Sequence, residues 1–249
     1  MVTTLYLIRH GETEGGEVKR YKGSMDVPLS EKGIKQMKKV SEYIKRSYKS
    51  YGTYGGLLSA VYCSPLNRAL KSAEIVAEPH GLKSVVMPDL RERSFGIWEG
   101  MSFDEIREKY PEEFDAWAGN PLKFSPMEGE STLEVRDRVI NVLDGILKNH
   151  GEDRHSIAPE KGSGSQGFKD SSGEIKDLPD PSNPGPLEPC QSVAIVAHGG
   201  VNRIILCHIL EIPLENIFRI EQDFAAVNII EFHDKYPVIK LLNGGLELK

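Results

Sequence analysis

The sequence predicts an α/β fold, a three-layer α/β/α sandwich around a mostly parallel central sheet. Two observations carry this. Short apolar runs alternate along the chain with stretches of helical period, the pattern of repeated strand–helix units. One run, SVAIVA at residues 192–197, is apolar from Val193 on, and Gly199, Gly200 and a second apolar stretch of helix length follow it. A strand covered on both faces reads in this way.

Residues 3–8 form an apolar run that ends in Arg9, His10 and Gly11, as a buried strand does where it meets a loop. The run has no basic leader and no cleavage site, so it reads as a first strand rather than a signal peptide. Residues 30–48 are a helix, with Ile34, Met37, Val40 and Ile44 on one face and lysines on the other. Residues 58–63 are a second strand. Pro65 then opens a helix carrying Ala69, Ala73, Val76 and Ala77. Residues 83–87 are a third short strand. Ser102 with Glu105, and Ser131 with Glu134, fit the capping-box pattern, and the second pair opens a long helix through Ile146. Beyond residues 192–197, a helix is expected over 201–210 and strands over 227–232 and 238–242. Residues 1–249 are expected to form one domain. Residues 151–190 stand apart: they hold six Gly, six Pro and six Ser without apolar periodicity, and a flexible surface insertion is expected there.

The formal net charge of −6 leaves no electrostatic footprint for non-specific nucleic-acid binding. An anionic substrate would therefore need positive charge concentrated in one site. Cys63, Cys190 and Cys207 form no CxxC pair, which excludes zinc-ribbon and thioredoxin-like readings and fits reduced thiols in the cytoplasm. No apolar run approaches the ~20 residues that span a bilayer, so no membrane partner is expected. Nothing in the sequence sets an oligomeric state.

Cationic groups gather at expected strand ends. Arg9 and His10 end the first strand, Arg68 lies in the first turn of the helix after the second, and His198 ends SVAIVA before the glycine pair. In an open α/β sheet the carboxyl ends of the strands form the ligand crevice, and helix N-termini there favour anions. A phosphate monoester carries about −1.5 to −2 charges near neutral pH, and guanidinium groups pair with its oxygens bidentately. Glu92 could be a structural salt-bridge partner instead of a catalytic group, given Arg91 and Arg93 beside it, and Glu99 is a competing carboxylate. Phe95, Trp98 and Phe103 form an expected aromatic packing cluster.

These segments resemble the histidine phosphatase superfamily, also called phosphoglycerate mutase-like. LIRHGET at residues 7–13 resembles its signature, and GSMDVPLSEKG at 23–33, YCSPLNRALKSAE at 62–74, LRERSFGIWEG at 90–100 and VAHGG at 196–200 follow in the family's order. The resemblance implies that His10 is the nucleophile and becomes phosphohistidine, with its Nδ1–H held by a backbone carbonyl. It implies that Arg9, Arg68 and His198 bind the phosphoryl oxygens, that Gly199 adds a backbone N–H, and that Glu92 is the general acid and base. No metal and no other cofactor is implied. The family's sandwich carries a small helical cap, here expected over residues 95–124. One departure is Gly16, where the family often has asparagine; Lys22 is expected to supply the missing donor. Asn202 and Arg203 are candidate substrate contacts.

The implied activity is a metal-independent phosphomonoesterase acting on a small anionic phosphorylated metabolite. Within the family, residues 198–232 and MEGES at 127–131 resemble the compact phosphatases, closest to α-ribazole phosphatases of cobalamin assembly. Phosphoserine phosphatase and cofactor-dependent phosphoglycerate mutase are the alternatives. An inactive binding relative is disfavoured because His10, Arg9, Arg68, Glu92 and His198 are all present.

Overall fold

The computed structural model describes residues 2–15, 20–50, 58–150, 190–233 and 236–245. The strands are β1 (Val2–Arg9), β2 (Leu58–Cys63), β3 (Ser84–Val86), β4 (Cys190–Ala197), β5 (Val227–Phe232) and β6 (Pro237–Gly244). The helices are α1 (Glu31–Ser50), α2 (Asn67–Ala77), α3 (Phe103–Lys109), α4 (Pro111–Gly119), α5 (Thr132–His150) and α6 (Gly199–Ile209). The sheet order is β3-β2-β4-β1-β5-β6. The pairings β3–β2, β2–β4 and β4–β1 are parallel, whereas β5 runs antiparallel to β1 and β6 antiparallel to β5.

Alternation along β1 and β4 builds the three layers. Leu5, Leu7, Val193 and Ile195 face one side, where Val139 and Leu143 of α5 and Val201 and Ile205 of α6 cover them. Tyr6, Ile8, Ala194 and Val196 face the other, against Met37 and Val40 of α1 and Ala73 and Val76 of α2. Successive strand side chains point to opposite faces, so a strand buried on both sides must be apolar throughout. Leu5, Leu7 and Ile8 are fully buried, and each such side chain contributes about 1.5–3 kcal/mol.

Both capping boxes form. Ser102 Oγ accepts the Glu105 N–H at 3.2 Å while Glu105 accepts the Ser102 N–H at 2.8 Å. The Ser131–Glu134 pair is alike, at 3.2 and 2.7 Å. A helix boundary differs from expectation. The helix after β4 begins at Gly199 rather than at Val201, because the glycine pair forms its first turn instead of a preceding loop. The last two strands close the sheet as an antiparallel hairpin on the β1 edge. The expected insertion lies outside the described residues, apart from Cys190, which opens β4; Gly16 also lies outside them.

Candidate active site

The chain leaves β1 toward α1 on one face of the sheet and leaves β4 toward α6 on the other. The carboxyl ends of these neighbouring parallel strands are thus a topological switch point, where open α/β sheets bind ligands. The register pairs Arg9 with Ala197, and the His10 N–H donates to the Ala197 carbonyl at 3.0 Å, which sets His10 beside His198. Their ring centroids lie 5.1 Å apart. A cavity of about 720 Å³ opens here, and Arg9, His10, Thr13, Lys22, Arg68, Glu92 and Gly199 are among the residues lining it.

His10 is buried, and its Nδ1 lies 2.7 Å from the Gly11 carbonyl oxygen. A carbonyl only accepts, so Nδ1 carries the proton and Nε2 keeps its lone pair. Burial, then the charges of Arg9 and Arg68, hold its pKa well below the ordinary histidine value. The ring is therefore neutral at neutral pH, as a nucleophile must be.

His198 is fully buried behind the site, packed against His10, and like Asn202 is not among the residues that line the cavity. Its Nε2 lies 2.7 Å from Ser64 Oγ, while its Nδ1 is buried without a hydrogen-bond partner. Ser64 Oγ accepts the Leu66 N–H at 3.3 Å and keeps a hydrogen that it can donate to His198 Nε2. In that tautomer Nδ1 of a neutral His198 carries a proton that no group among the described residues receives. Burial, followed by His10 and the arginines, lowers the His198 pKa as well. A buried donor without an acceptor is costly unless a ligand supplies one.

Backbone carbonyls hold the cations. Arg68 donates to the Met25 and Gly23 carbonyls, each at 2.6 Å. Gly23 has φ +48°, and an added Cβ would lie 2.9 Å from the Arg93 carbonyl oxygen, so that turn needs glycine. Arg9 Nη1 donates to the Gln222 carbonyl, its Nε is buried without a partner, and its guanidinium lies 4.1 Å from the Phe224 ring centre. Burial is the main cause that pushes the Arg9 pKa down to about 10. Lys22 Nζ donates to Thr13 Oγ1 and to the Glu14 carbonyl, both at 2.7 Å.

Glu92 sits at the start of α6, where its carboxylate accepts the N–H groups of Arg93 at 3.0 Å and Gly200 at 3.1 Å. A Cβ on Gly200 would lie 2.6 Å from the Glu92 carboxylate, so glycine there lets the two approach. Glu92 makes no ion pair among the described residues; the Arg91 beside it pairs with Glu130. Glu99, the competing carboxylate, accepts the N–H groups of Ser24 and Phe95 and fixes two loops.

Asn202 is placed differently from expectation. It is fully buried beneath the site and does not line the cavity. Its amide is oriented to donate to the His198 carbonyl at 3.3 Å and to accept the Arg9 N–H at 3.2 Å. One helical turn past His198, its side chain points into the fold, while Arg203 lines the cavity. The expected aromatic cluster also divides. Phe95 packs on Tyr21, Trp98 stacks on Phe124, and Phe103 meets Phe114 and Trp117.

Several contributors lie outside the candidate residues, although Thr13 and Ser64 fall within the quoted motifs. Ser64 and Thr13 are buried hydroxyls at the site. Arg138 of α5 donates to the Asp89, Arg91 and Glu92 carbonyls at 2.6, 2.7 and 3.2 Å and pairs with Glu130 at 2.9 Å, so it fixes the backbone that presents Glu92. Burial pushes the Glu130 carboxyl up, but bonds from Arg138 and the Ser94 N–H outweigh it and hold the group below its ordinary value.

Comparison with known proteins agrees with this geometry. Phosphoserine phosphatase 1 of Hydrogenobacter thermophilus is 28% identical over 239 residues, covering 96% of this chain and 91% of the relative. The adenosylcobalamin/alpha-ribazole phosphatase of Salmonella typhimurium is 26% identical over 243 residues, covering 96% of each chain. The crystal structure of the alpha-ribazole phosphatase from Shigella flexneri superposes with a TM-score of 0.70 at 22% identity, over 97% of this chain and 96% of that one, which shows a shared fold. The sequence model of the histidine phosphatase superfamily (branch 1) matches residues 5–158 and 186–244, and the chain belongs to that family.

Proposed function

We propose that this chain is a phosphomonoesterase that works without a metal through a phosphohistidine on His10. The observation that carries the reading is the held tautomer of His10, which frees Nε2 in a cavity where Arg9, Arg68 and Lys22 make no ion pair among the described residues. Arg9, Arg68, Lys22 and the Nδ1–H of His198 are suited to take the phosphoryl oxygens. Gly199, beside Arg9 at the start of α6, contributes the positive end of that helix.

Two steps follow. His10 Nε2 forms a bond to phosphorus as the ester P–O bond breaks, and Glu92 gives its proton to the departing alcohol. Water then attacks the phosphorus, Glu92 takes the water's proton, and the N–P bond breaks to release phosphate and neutral His10. The short segment carrying α3 and α4, with Phe103 and Trp117 at the cavity, serves as a cap that limits bulk water. The relatives' names keep α-ribazole phosphate and phosphoserine as candidate substrates. Cys63 and Cys207 are free and buried, and among the described residues no helix is long and apolar enough to cross a membrane, which supports a cytoplasmic setting.

The test is rapid quenching with p-nitrophenyl phosphate in EDTA. The expected result is an acid-labile, base-stable phosphoryl label at His10, with turnover absent in His10→Ala. Turnover that persists in His10→Ala, or that EDTA abolishes, would overturn the proposal.

A further inference from the structure

The cavity is much larger than a phosphoryl group needs. Its volume of about 720 Å³ falls within the range of sites that enclose whole drug-sized ligands. The phosphoryl cradle occupies only the floor, so the remaining walls describe the alcohol that the phosphate is esterified to.

Aromatic and apolar residues form a large part of those walls, beside charged ones that include Arg203, Glu221 and Asp223. Phe103 of α3 and Trp117 of α4 line the cavity from the segment between β3 and α5. Phe218 and Ile217 line it from the 3-10 segment Leu214–Arg219 that follows α6. Phe218 is 76% exposed and Phe103 44% exposed. Aromatic rings left in water around a concave site gain on covering, by area and by ring stacking. Beside them Arg203 donates through Nε to the Ile220 carbonyl at 2.6 Å and has no carboxylate partner among the described residues. A guanidinium plane of that kind stacks on rings as well as pairing with anions.

We infer that the substrate is a phosphate monoester whose alcohol carries an extended aromatic ring system, seated against Phe103, Trp117 and Phe218. The inference rests on the phosphomonoesterase reading above and narrows it. It disfavours a small zwitterionic alcohol. Glu92, Glu221 and Asp223 line the cavity beside Arg9, Arg68, Lys22 and Arg203, so charge does not bar an ammonium there, but the short side chain of phosphoserine would leave the aromatic wall in water.

The test must separate ring recognition from leaving-group reactivity, so the esters compared share a primary alcohol. They are 2-(1-naphthyl)ethyl phosphate, ethyl phosphate and phosphoserine, with phosphohistidine formation followed in parallel. The expected kcat/KM for the naphthyl ester exceeds that for ethyl phosphate by about 100-fold, from the area and stacking a bicyclic ring can gain. In Phe218→Ala, whose exposed side chain makes misfolding a minor concern, that ratio falls about tenfold. Equal turnover of the three esters, or a preference for phosphoserine, with phosphohistidine still formed, would overturn the inference and leave the phosphatase reading standing. An unchanged ratio in both Phe218→Ala and Trp117→Ala would overturn it also. No phosphohistidine and no turnover of any ester would remove both readings together.

Discussion

Replacing Ser64 with alanine tests how the fold sets the protonation of His198. Ser64 and His198 are both fully buried, and the 2.7 Å contact between Oγ and Nε2 is the only hydrogen bond of either ring nitrogen among the described residues. Alanine removes the hydroxyl and leaves the buried Nε2 without that partner. An unsatisfied buried group costs about 1–3 kcal/mol, so the free enzyme is expected to lose stability in that range. The catalytic loss follows from the tautomer. With the Ser64 hydrogen gone, His198 can place its proton on either nitrogen, and the form with bare Nδ1 meets a phosphoryl oxygen lone pair to lone pair. Removing an anion-stabilising donor altogether costs about 2.7–4 kcal/mol in the transition state. Loss of the bias alone should cost less, about 1–3 kcal/mol, or roughly 5- to 150-fold in rate. The assay is single-turnover phosphorylation of His10 by p-nitrophenyl phosphate, with vanadate affinity measured beside it. A phosphorylation rate within twofold of the parent, with thermal stability lowered, would show that Ser64 supports the fold but not the phosphoryl site.

Two further predictions come from the surroundings of the site. Arg138→Met removes the bonds to the Asp89, Arg91 and Glu92 carbonyls and leaves Glu130 to Arg91 alone. Breaking a largely buried pair costs about 3–5 kcal/mol, discounted here for the 10% and 17% exposure of the partners. A loss of about 2–4 kcal/mol in stability is expected, with kcat falling more than KM rises; an unaltered kcat in a destabilised protein would refute a positioning role. The second concerns pH. His10 and His198 have folded pKa values below their unfolded value of about 6.5, so the unfolded chain takes up protons first as pH falls. Their contribution to stability is complete above about pH 6.5 and diminishes below it, toward the lower folded values. Histidine ring NMR should show neither ring titrating between pH 8 and 6, and a midpoint near 6.5 for either would refute the assignment.

The sandwich was legible because burial on both faces leaves a strand no choice of composition. Leu5 to Ile8 and Val193 to Ala197 are apolar throughout, and the alternate residues fall on opposite cores. The glycine pair and SVAIVA likewise marked where a helix N-terminus meets a strand end. What escaped the reading acts across long sequence distances through residue types with no pattern of their own. Ser64 reaches a histidine 134 residues away. Gln222 and Asn228 exchange amide hydrogen bonds, and Asn228 also donates to the Leu7 carbonyl, which ties the loop carrying Phe224 to the strand carrying Arg9. Asn202 was misplaced for a related reason. Adjacency to His198 marks the right helix, but only the packed helix shows that its side chain turns inward while that of Arg203 turns out.

The means by which each cation is held accounts for how an acidic chain keeps an anion site. Arg91 pairs with Asp89 and Glu130, and Arg20, which also lines the cavity, pairs with Glu105. Four other cavity cations make no such pair. Arg9, Arg68, Arg203 and Lys22 are oriented by carbonyl or hydroxyl oxygens, and none makes an ion pair among the described residues. A carbonyl fixes the direction of an N–H without cancelling its charge, whereas a carboxylate would do both. The site therefore holds its geometry and keeps a positive potential that Glu92, Glu221 and Asp223, which also line the cavity, offset only in part. Burial lowers the pKa values of Arg9, Arg68 and Lys22, so this arrangement is uncomfortable when empty. A phosphoryl dianion relieves that strain most when its charge is greatest and most spread over its equatorial oxygens, at the transition state of transfer. The whole-chain net charge of −6 is therefore compatible with an anion site, because charges near the cavity are screened far less from one another than those spread over the distant surface.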